Sequence, residues 1–275
     1  MKTKRTILII IFLFILFLNS KSQENKLGLG VNYGYQYLKM EDFNTFIINH
    51  PALAYIEKIF FNPASKENNI IEIKKGCQYF STSLIYKPFS KINGYMIGQF
   101  DYIQTNKGSN ELILTEAIYG ATGTTYKEYS YKFEYQPSSY IFSLIPTYEY
   151  NFNEKINING GVGISYYLVN LTEKQINLID KYPHSENKDK YKGNQFGFQI
   201  STGFEYYIFK RFSCNLNLLY KYAKIKQLKN KDINSIPAEF PVELDFSGLN
   251  VNVGLRYDIL SERKRHKFKK IFLSH

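Results

Sequence analysis

The residues that could perform catalysis are few, and their spacing does not favour it. Nucleophilic catalysis needs a Ser, Cys or Thr next to a base, which is most often His. The four histidines, His50, His184, His266 and His275, all lie outside the segments that predict strands. No metal-ligand spacing and no glycine-rich phosphate loop occurs. The sequence therefore predicts no catalytic, cofactor-binding or metal-binding residue, and a protein that is not an enzyme.

Five charged residues have a more informative position, because each alternates with outward-facing apolar residues of a predicted strand. They are Asp101, Glu149, Glu205, Lys221 and Arg256. Charges that face the interior of a small fold must be paired or hydrated. We expect them to form a structural interior network, with Arg256 pairing with Glu149 or Glu205. The alternative is that they line a conducting pore.

The elements that would position these charges are long strands with one apolar face. The segment from 156 to 168 reads I-N-I-N-G-G-V-G-I-S-Y-Y-L, in which isoleucine, valine, tyrosine and leucine alternate with small or polar residues. A period of two predicts an extended strand with two different faces. Its length suits a tilted strand that crosses a bilayer.

The same alternation recurs along the chain and predicts eight strands, at 26–38, 78–88, 95–102, 140–152, 156–168, 196–206, 212–222 and 249–258. Their connections alternate between long and short. Outer-membrane barrels show this asymmetry, with long external loops and short periplasmic turns. The predicted fold class is all-β, an antiparallel up-and-down transmembrane β-barrel.

The strand count depends on the segment from 104 to 136. It forms either a β-hairpin that stands above the membrane, giving eight strands, or an additional spanning pair, giving ten. Glu116 shares a face with Leu112 and Leu114, which favours the hairpin.

The connecting segments carry further signals. Helical spacing of apolar residues in the 39–76 connection predicts one or two short helices, and Asn93-Gly94 predicts a tight turn. The 170–194 segment is predicted to be a charged loop. Pro146 predicts either a bulge or a weakened ladder, and Ser247-Gly248 predicts a bulge that reverses the facing of the last strand.

The chain ends predict export and a tail. Residues 1–22 combine a basic start, an apolar core and small residues near Ser20 and Ser22, as in a secretory signal peptide. Residues 23–260 would form the barrel and 261–275 a basic periplasmic tail. Cys77 and Cys214 are predicted to be unpaired, since they fall at opposite ends of different strands.

The net charge of +11 does not predict a nucleic-acid partner, because it is divided among the signal peptide, the tail and the loops. Basic loops at a bacterial surface have lipopolysaccharide as an ionic neighbour. The expected partners are outer-membrane lipid and lipopolysaccharide, with a protein or glycan ligand at the external loops.

The opening K-L-G-L-G-V-N-Y-G at 26–34 and the closing L-N-V-N-V-G-L-R-Y at 249–257 resemble the PorT-like barrels among the small outer-membrane β-barrel proteins of Gram-negative bacteria. The resemblance implies an outer-membrane location. It leaves the function open between secretion, adhesion and other roles. The expectation is a non-enzymatic envelope barrel with binding loops; the alternative is a small channel or secretion-associated component.

Overall fold

The computed structural model describes residues 26–59, 63, 65–87, 94–230 and 242–260. The predicted signal peptide at 1–22, the tail at 261–275 and residues 90–93 of the predicted tight turn lie outside them.

The described residues form thirteen strands and two helices. In chain order these are β1 (Lys26–Tyr37), α1 (Glu41–Ile48), α2 (Pro51–Ile59), β2 (Ser65–Ile71), β3 (Gly76–Lys87), β4 (Gly94–Gln104), β5 (Gly108–Gly120), β6 (Gly123–Asn151), β7 (Ile156–Ile179), β8 (Tyr182–Phe209), β9 (Phe212–Tyr222), β10 (Lys224–Ile225), β11 (Lys229–Asn230), β12 (Leu244–Asp245) and β13 (Gly248–Leu260).

Eight of these strands pair into a closed antiparallel ring in the order β1, β3, β4, β6, β7, β8, β9, β13 and back to β1. The closing pair places Val31 opposite Leu255 and Tyr35 opposite Val251. Every ring strand corresponds to one predicted from the alternation, and the prediction of an eight-stranded up-and-down barrel is confirmed.

Side chains alternate between the two surfaces of the ring, as the pleat of a strand requires. On β7, Val162 and Ile164 point outward and are 61% and 62% exposed, whereas Ser165 points inward and is 1% exposed. The barrel therefore has an apolar outside and a polar inside, the reverse of a soluble protein.

Pro146 interrupts one ladder of the ring. The pairing of β6 with β7 reaches Leu144 opposite Ile164 and resumes at Thr147 opposite Gly161. Proline has no N–H to donate at this position. Of the two alternatives expected there, the structure shows the weakened ladder and not the bulge, because the register is the same on both sides of Pro146.

The two ends of the barrel differ. At one end, here called the turn end, β6 joins β7 through residues 152–155 and β8 joins β9 through residues 210–211. At the other end, here called the loop end, the ring strands β6, β7 and β8 extend beyond the ring. With β2, β5 and β11 they form a sheet of the order β2, β5, β6, β7, β8, β11. The favoured hairpin at 104–136 is present as β5 and the first half of β6.

The prediction of a charged loop at 170–194 is wrong, because this segment is the outer half of the β7–β8 hairpin. Its turn consists of Asp180 and Lys181, both at positive φ (49° and 69°). Asp180 is anchored to Glu128 of β6, whose N–H donates to Asp180 Oδ1 at 2.9 Å. The usual sequence signal for such a turn is Asn-Gly or Asp-Gly. The turn was therefore not predicted, because its residues are Asp and Lys.

The 38–75 connection contains the two helices expected there, and one strand, β2, that was not. In α1, Phe43 and Ile47 are four residues apart, on one face, and both are buried. Pro51 opens α2, where its missing N–H costs no helical hydrogen bond.

The predicted bulge at Ser247-Gly248 is a strand break. Leu244 pairs with Ile225 in a separate two-stranded sheet, β10 with β12, and β13 begins at Gly248. A Cβ on Gly248 would overlap the carbonyl oxygen of Tyr37. The reversal of facing was predicted, and the break is how the chain achieves it.

Candidate functional site

The interior of the barrel is filled by layers of side chains. The layer nearest the turn end contains Arg256, whose Nη1 lies 3.1 Å from Glu205 Oε2 and whose Nε donates to Asp258 Oδ1 at 2.9 Å. Ser213 Oγ donates to the other oxygen of Glu205 at 2.5 Å. The guanidinium lies over the ring of Tyr95, 5.5 Å from its centroid. The charged groups of this layer thus have partners despite their burial.

Glu149 belongs to the same layer but pairs elsewhere. Lys87 Nζ lies 2.9 Å from Glu149 Oε2, and Asn157 Nδ2 donates to Glu149 Oε1 at 2.5 Å. The side chains of Lys87 and Glu149 are 11% and 7% exposed, so this ion pair is largely shielded from water.

A second ionic layer lies nearer the loop end. Lys221 Nζ is 2.5 Å from Asp101 Oδ2, and both side chains have no exposed surface. Tyr79 Oη donates to Asp101 Oδ1 at 2.8 Å, and Gln99 Nε2 donates to the same oxygen at 2.7 Å. The ammonium also lies over the Tyr79 ring, 4.5 Å from its centroid. This cluster spans the lumen from β9 to β3 and β4.

A small cavity of about 50 Å³ lies in the lumen and touches the Arg256 layer. Arg256, Glu205 and several asparagines line it, and Asn217 Nδ2 donates to Asn215 and Asn252. A cavity of this volume holds a few water molecules. It is far smaller than the volume that a bound drug-sized ligand requires.

An apolar cluster closes the lumen at the loop end, and we call it the apolar plug. Its members are buried side chains from α1, from the ring strands and from the connecting segments. They include Met40, Phe43, Ile47, Ile103, Leu112, Leu114, Phe133, Tyr135, Ile141, Tyr167, Val169, Ile225 and Phe246. Close-packed aliphatic and aromatic side chains of this kind exclude water.

Helix α1 is fastened over the apolar plug by Asn44. Its Nδ2 donates to the Ile73 carbonyl at 3.0 Å, and its Oδ1 accepts from the Ile73 N–H at 2.9 Å. Asn110 Nδ2 of β5 donates to the carbonyls of Ile47 and Ile48 at the end of the helix, at 2.7 and 3.0 Å. The helix is therefore held on two sides by hydrogen bonds that are buried or partly buried.

Two titratable groups at the loop end are shifted by burial. Burial lowers the pKa of His50 to about 4, and its ring stacks on Phe133 at 4.0 Å between centroids. Burial also raises the pKa of Glu173, although hydrogen bonds from Tyr191 and Tyr135 oppose the shift. Both groups are therefore held closer to their neutral forms than in water.

Of the five charges expected in the interior, the structure brings together Arg256 with Glu205 and Lys221 with Asp101, and it places Glu149 with Lys87. Lys87, at the end of its strand, was missed although it has the inward parity of Ser81 and Ile85. Tyr79 was also missed, although its inward parity next to Ser81 was a usable signal.

Both cysteines are free, as expected: Cys77 is buried and Cys214 is partly exposed. In the part of the chain that the structure describes, no group of three or more His, Cys, Asp or Glu side chains could hold a metal ion. Neither α1 nor α2, the helices among the described residues, is long and apolar enough to cross a membrane.

No protein-family model matches the chain. No curated protein matches it. Similar solved structures include OprG from Pseudomonas aeruginosa, with a TM-score of 0.41 and 9% identity over 86% of this chain and 97% of that chain. A major outer membrane protein from Thermus thermophilus has a TM-score of 0.45 and 10% identity over 85% of this chain and 98% of that chain. Neisserial surface protein A has a TM-score of 0.36 and 8% identity over 84% of this chain and 96% of that chain.

The first two of these structures are outer membrane proteins and the third is a surface protein. Similarity at this level does not identify a relative. The barrel of this chain is established by its own strand pairing.

Proposed function

We propose that the protein is a non-enzymatic β-barrel of the bacterial outer membrane that does not conduct and that presents its loop-end extension to a binding partner. The observation that carries this proposal is the double closure of the lumen. The buried Lys221–Asp101 layer crosses it, and the apolar plug fills it above that layer.

The exterior of the ring supports the membrane location. Large apolar side chains that are more than a third exposed occur on β1, β3, β6, β7, β8, β9 and β13, among them Val31, Phe80, Phe142, Val162, Ile200, Leu216 and Val253. A continuous apolar surface of this kind marks contact with a membrane or a partner. Exposed tyrosines lie at both edges of this apolar surface: Tyr35 and Tyr140 at the edge toward the loop end, and Tyr148 and Tyr257 at the edge toward the turn end.

The predicted signal peptide and the resemblance to PorT-like barrels add to this proposal. A signal peptide directs export through the inner membrane. A closed barrel satisfies all its backbone hydrogen bonds in lipid, so the exported chain can insert into the outer membrane. The loop end then faces the exterior and the turn end the periplasm.

The interior weighs against the channel alternative. Eight strands leave a lumen just wide enough for side chains to fill, and the described interior side chains fill it with ion pairs and apolar groups. An ion would have to break the buried Lys221–Asp101 pair and then pass through a dry apolar layer.

His50 is not positioned as a catalytic base. Its ring lies among Phe46, Phe133 and Tyr135 at centroid distances of 4.0–6.0 Å. A histidine surrounded by aromatic rings on these sides, with a lowered pKa, packs as an aromatic residue does.

The loop-end hairpins support a role in binding. Their tips carry Tyr119, Tyr126 and Tyr182, which are 84%, 68% and 78% exposed. Tyrosine combines apolar contact area with a hydroxyl that hydrogen-bonds, and it is enriched in protein interfaces. A protein or glycan at the cell surface is the class of partner that these tips suit.

Topology and location are tested by thiol labelling on whole cells. In a Cys77→Ser/Cys214→Ser background, Thr124→Cys places a thiol at the β5–β6 tip and Glu154→Cys places one at a short turn. We expect a membrane-impermeant maleimide to label the first on intact cells and the second only after permeabilisation. Labelling of both on intact cells, or a barrel in the soluble fraction, would contradict the proposal.

A further inference from the structure

Strand β2 (Ser65–Ile71) forms one edge of the sheet that extends beyond the ring at the loop end. It pairs with β5 along its whole length without a register shift. Alternate residues of a strand direct their N–H and C=O groups to opposite edges, so every second residue of β2 presents both groups on the side away from β5. No described residue pairs with that side.

The two edges of this sheet differ in how they are protected. Edge strands of native proteins are usually blocked by proline, lysine, bulges or short length, because a row of free backbone groups accepts a further strand. The outer half of β8, at the opposite edge, has Pro183, a register shift between Asn177 and Leu178 of its ladder with β7, and Lys188 and Lys190. In contrast, β2 has no proline and no bulge, and its seven residues are all exposed.

The side chains of β2 also suit an added strand. Its lysine, Lys66, is engaged by Glu57 of α2 at 2.5 Å. Ile70 and Ile71 are 39% and 57% exposed, and because they are consecutive they present apolar surface on both faces of the strand. The edge therefore combines free backbone groups with two β-branched side chains, which favour strand pairing.

Glu67 gives the edge a charge preference. It forms no ion pair within the part of the chain that the structure describes. On its own face it lies opposite Ile113, and the next residues of β5 on that face are Glu111 and Thr115. None of these carries a positive charge. A basic side chain on an added strand would be the cross-strand partner that this carboxylate lacks.

A second copy of the chain does not suit this edge in a membrane. Copies in one membrane have the same orientation, so a two-fold axis between them runs along the membrane normal. With a strand tilt of about 40°, two β2 strands related by that axis would cross at about 80°. Neighbouring strands of a sheet differ by only about 20–25°. The occupant that fits the edge is therefore a strand from a different polypeptide.

We propose that the outer edge of β2 binds an extended segment of another protein, which joins the sheet as an antiparallel strand. The segment carries a basic residue opposite Glu67 and apolar residues opposite Ile70 and Ile71. Backbone hydrogen bonds supply the affinity, and these side chains supply the specificity. The inference deepens the proposed function by specifying the partner, and it rests on the loop end facing the cell exterior.

The backbone contribution is tested with a labelled, acetylated heptapeptide, V-I-T-T-K-T-T. Antiparallel pairing places its valine and isoleucine opposite Ile71 and Ile70 and its lysine opposite Glu67. Binding to the refolded full chain in zwitterionic micelles is followed by anisotropy, with micelles alone as the blank. Two further peptides carry N-methyl groups on alternate residues, one set beginning at the second residue and the other at the third.

We expect saturable binding of the parent peptide, because only alternate N–H groups of an added strand face β2. One methylated peptide should bind at least about tenfold more weakly, since it loses every N–H that donates to the edge. The other should lose less than about threefold, because its methyl groups point away from β2. Equal losses for the two methylated peptides, or no binding of the parent, would overturn the inference.

Glu67→Lys tests the side-chain pairing. It should weaken the parent peptide by about fivefold, because it replaces attraction by repulsion between opposed residues. A peptide with glutamate in place of its lysine should recover the loss on this variant. The matched control, Glu72→Lys, makes the same charge change at an exposed position just past the end of β2, roughly 16 Å away. It should change binding less than about twofold because of screening. Equal effects of the two variants would contradict the proposed register.

Hydrogen exchange distinguishes the remaining occupants. The parent peptide should protect the amides of residues 65–71. Protection of this segment that rises with protein concentration in the absence of the peptide would place a second copy on the edge and overturn the inference. Protection confined to the hairpin tips would also overturn it.

Heat-shifted gel migration of every protein reports the folded barrel, and the methylated peptides test the inference on the wild type even where a variant fails to fold. A shifted wild type that does not bind the parent peptide refutes only the β2 edge. The thiol labelling of whole cells refutes the proposed location independently of peptide binding.

Discussion

At the scale of single residues, the interior charges are tolerable only as pairs. Lys221 and Asp101 are both completely buried, and their attraction at 2.5 Å is supplemented by hydrogen bonds from Tyr79 and Gln99 to the carboxylate. Removing one member of such a pair leaves an uncompensated charge in a medium of low polarity. Replacing both members by apolar residues removes both charges, so no uncompensated charge is left in the interior.

This asymmetry predicts opposite results for single and double variants. Asp101→Asn should lower the free energy of unfolding by about 3–5 kcal/mol, since it strands the Lys221 ammonium. Asp101→Leu/Lys221→Met should recover most of that loss. Urea titration followed by the heat-shifted gel band measures both. The exposed pair of Lys66 and Glu57 provides the control, because Lys66→Met should cost less than about 1 kcal/mol. A double variant as unstable as the single one would contradict the interpretation.

His50 predicts a pH dependence at the loop end. Its pKa of about 4 in the folded chain lies below its ordinary value of 6.5, so the unfolded segment binds the proton more tightly. The stability of the docked helices is therefore complete above about pH 6.5 and falls as the pH decreases toward 4. Hydrogen exchange of the peptide 41–59, corrected for intrinsic rates, should show this loss of protection.

The matched variant for this prediction is His50→Phe, which keeps the aromatic stack on Phe133 and removes the titration. Its protection should remain constant over the same pH range. If both proteins lose protection equally, another group is responsible.

The sequence predicted which side of the sheet each interior charge occupies, but not all of its partners. Parity alone places Arg256, Glu205 and Glu149 inside. The choice of Glu205 for Arg256 depends on ring closure, because β8 and β13 are separated by β9. Lys87 has the inward parity of Tyr79 and Ser81 on β3, so alternation places it inside, but its pairing with Glu149 of β6 depends on the assembled ring.

At the scale of elements, α1 is held by specific hydrogen bonds as well as by its apolar face. Asn44 joins it to the Ile73 backbone in both directions. The sequence predicted this helix from the spacing of Phe43 and Ile47. It did not predict the Asn44 clamp, which depends on a segment 29 residues away.

The clamp predicts a local effect of one substitution. Asn44→Ala should expose α1 to proteolysis and destabilise its docking by about 2–3 kcal/mol, because the Ile73 N–H and carbonyl lose their partners in a buried place. The control is Asn49→Ala, which removes an exposed bond to the Thr45 carbonyl and should have little effect. Equal cleavage rates of the two variants under limiting protease would count against the clamp.

The outer half of β7 and β8 shows where prediction of elements failed. The inner halves alternate clearly because lipid and lumen impose opposite demands on the two faces. Beyond the apolar exterior of the ring both faces meet water or other loops, so polar residues occur on both: Asn170 and Lys190 on one face, Asn187 and Asp189 on the other. The strand continues there because of its ladder with its neighbours, which a single sequence does not display.

At the scale of the whole molecule, closure of the ring and the difference between its two ends follow from strand number and connection length. Both were predicted. The apolar plug was not, although Ile103, Tyr167 and Val169 lie on inward parity near the loop ends of their strands. Each was interpreted within its own strand, and only the assembled barrel shows that they converge.

The plug and the buried ion pairs together imply that the lumen of the barrel is closed to water and ions. Under the proposed function, the surfaces left for contact with a partner are the hairpin tips and the apolar exterior of the ring. A channel would instead need a continuous polar path, whereas the small cavity beside the Arg256 layer is separated from the loop end by the Lys221–Asp101 layer and the apolar plug.

Electrical recording tests this closure most directly. The refolded chain, confirmed by its heat-shifted band, is added to planar bilayers beside a water-filled porin as a positive control. We predict no discrete conductance steps from the wild type over a wide voltage range. Regular open steps of uniform size from the wild type would show a continuous aqueous path and contradict the closed lumen.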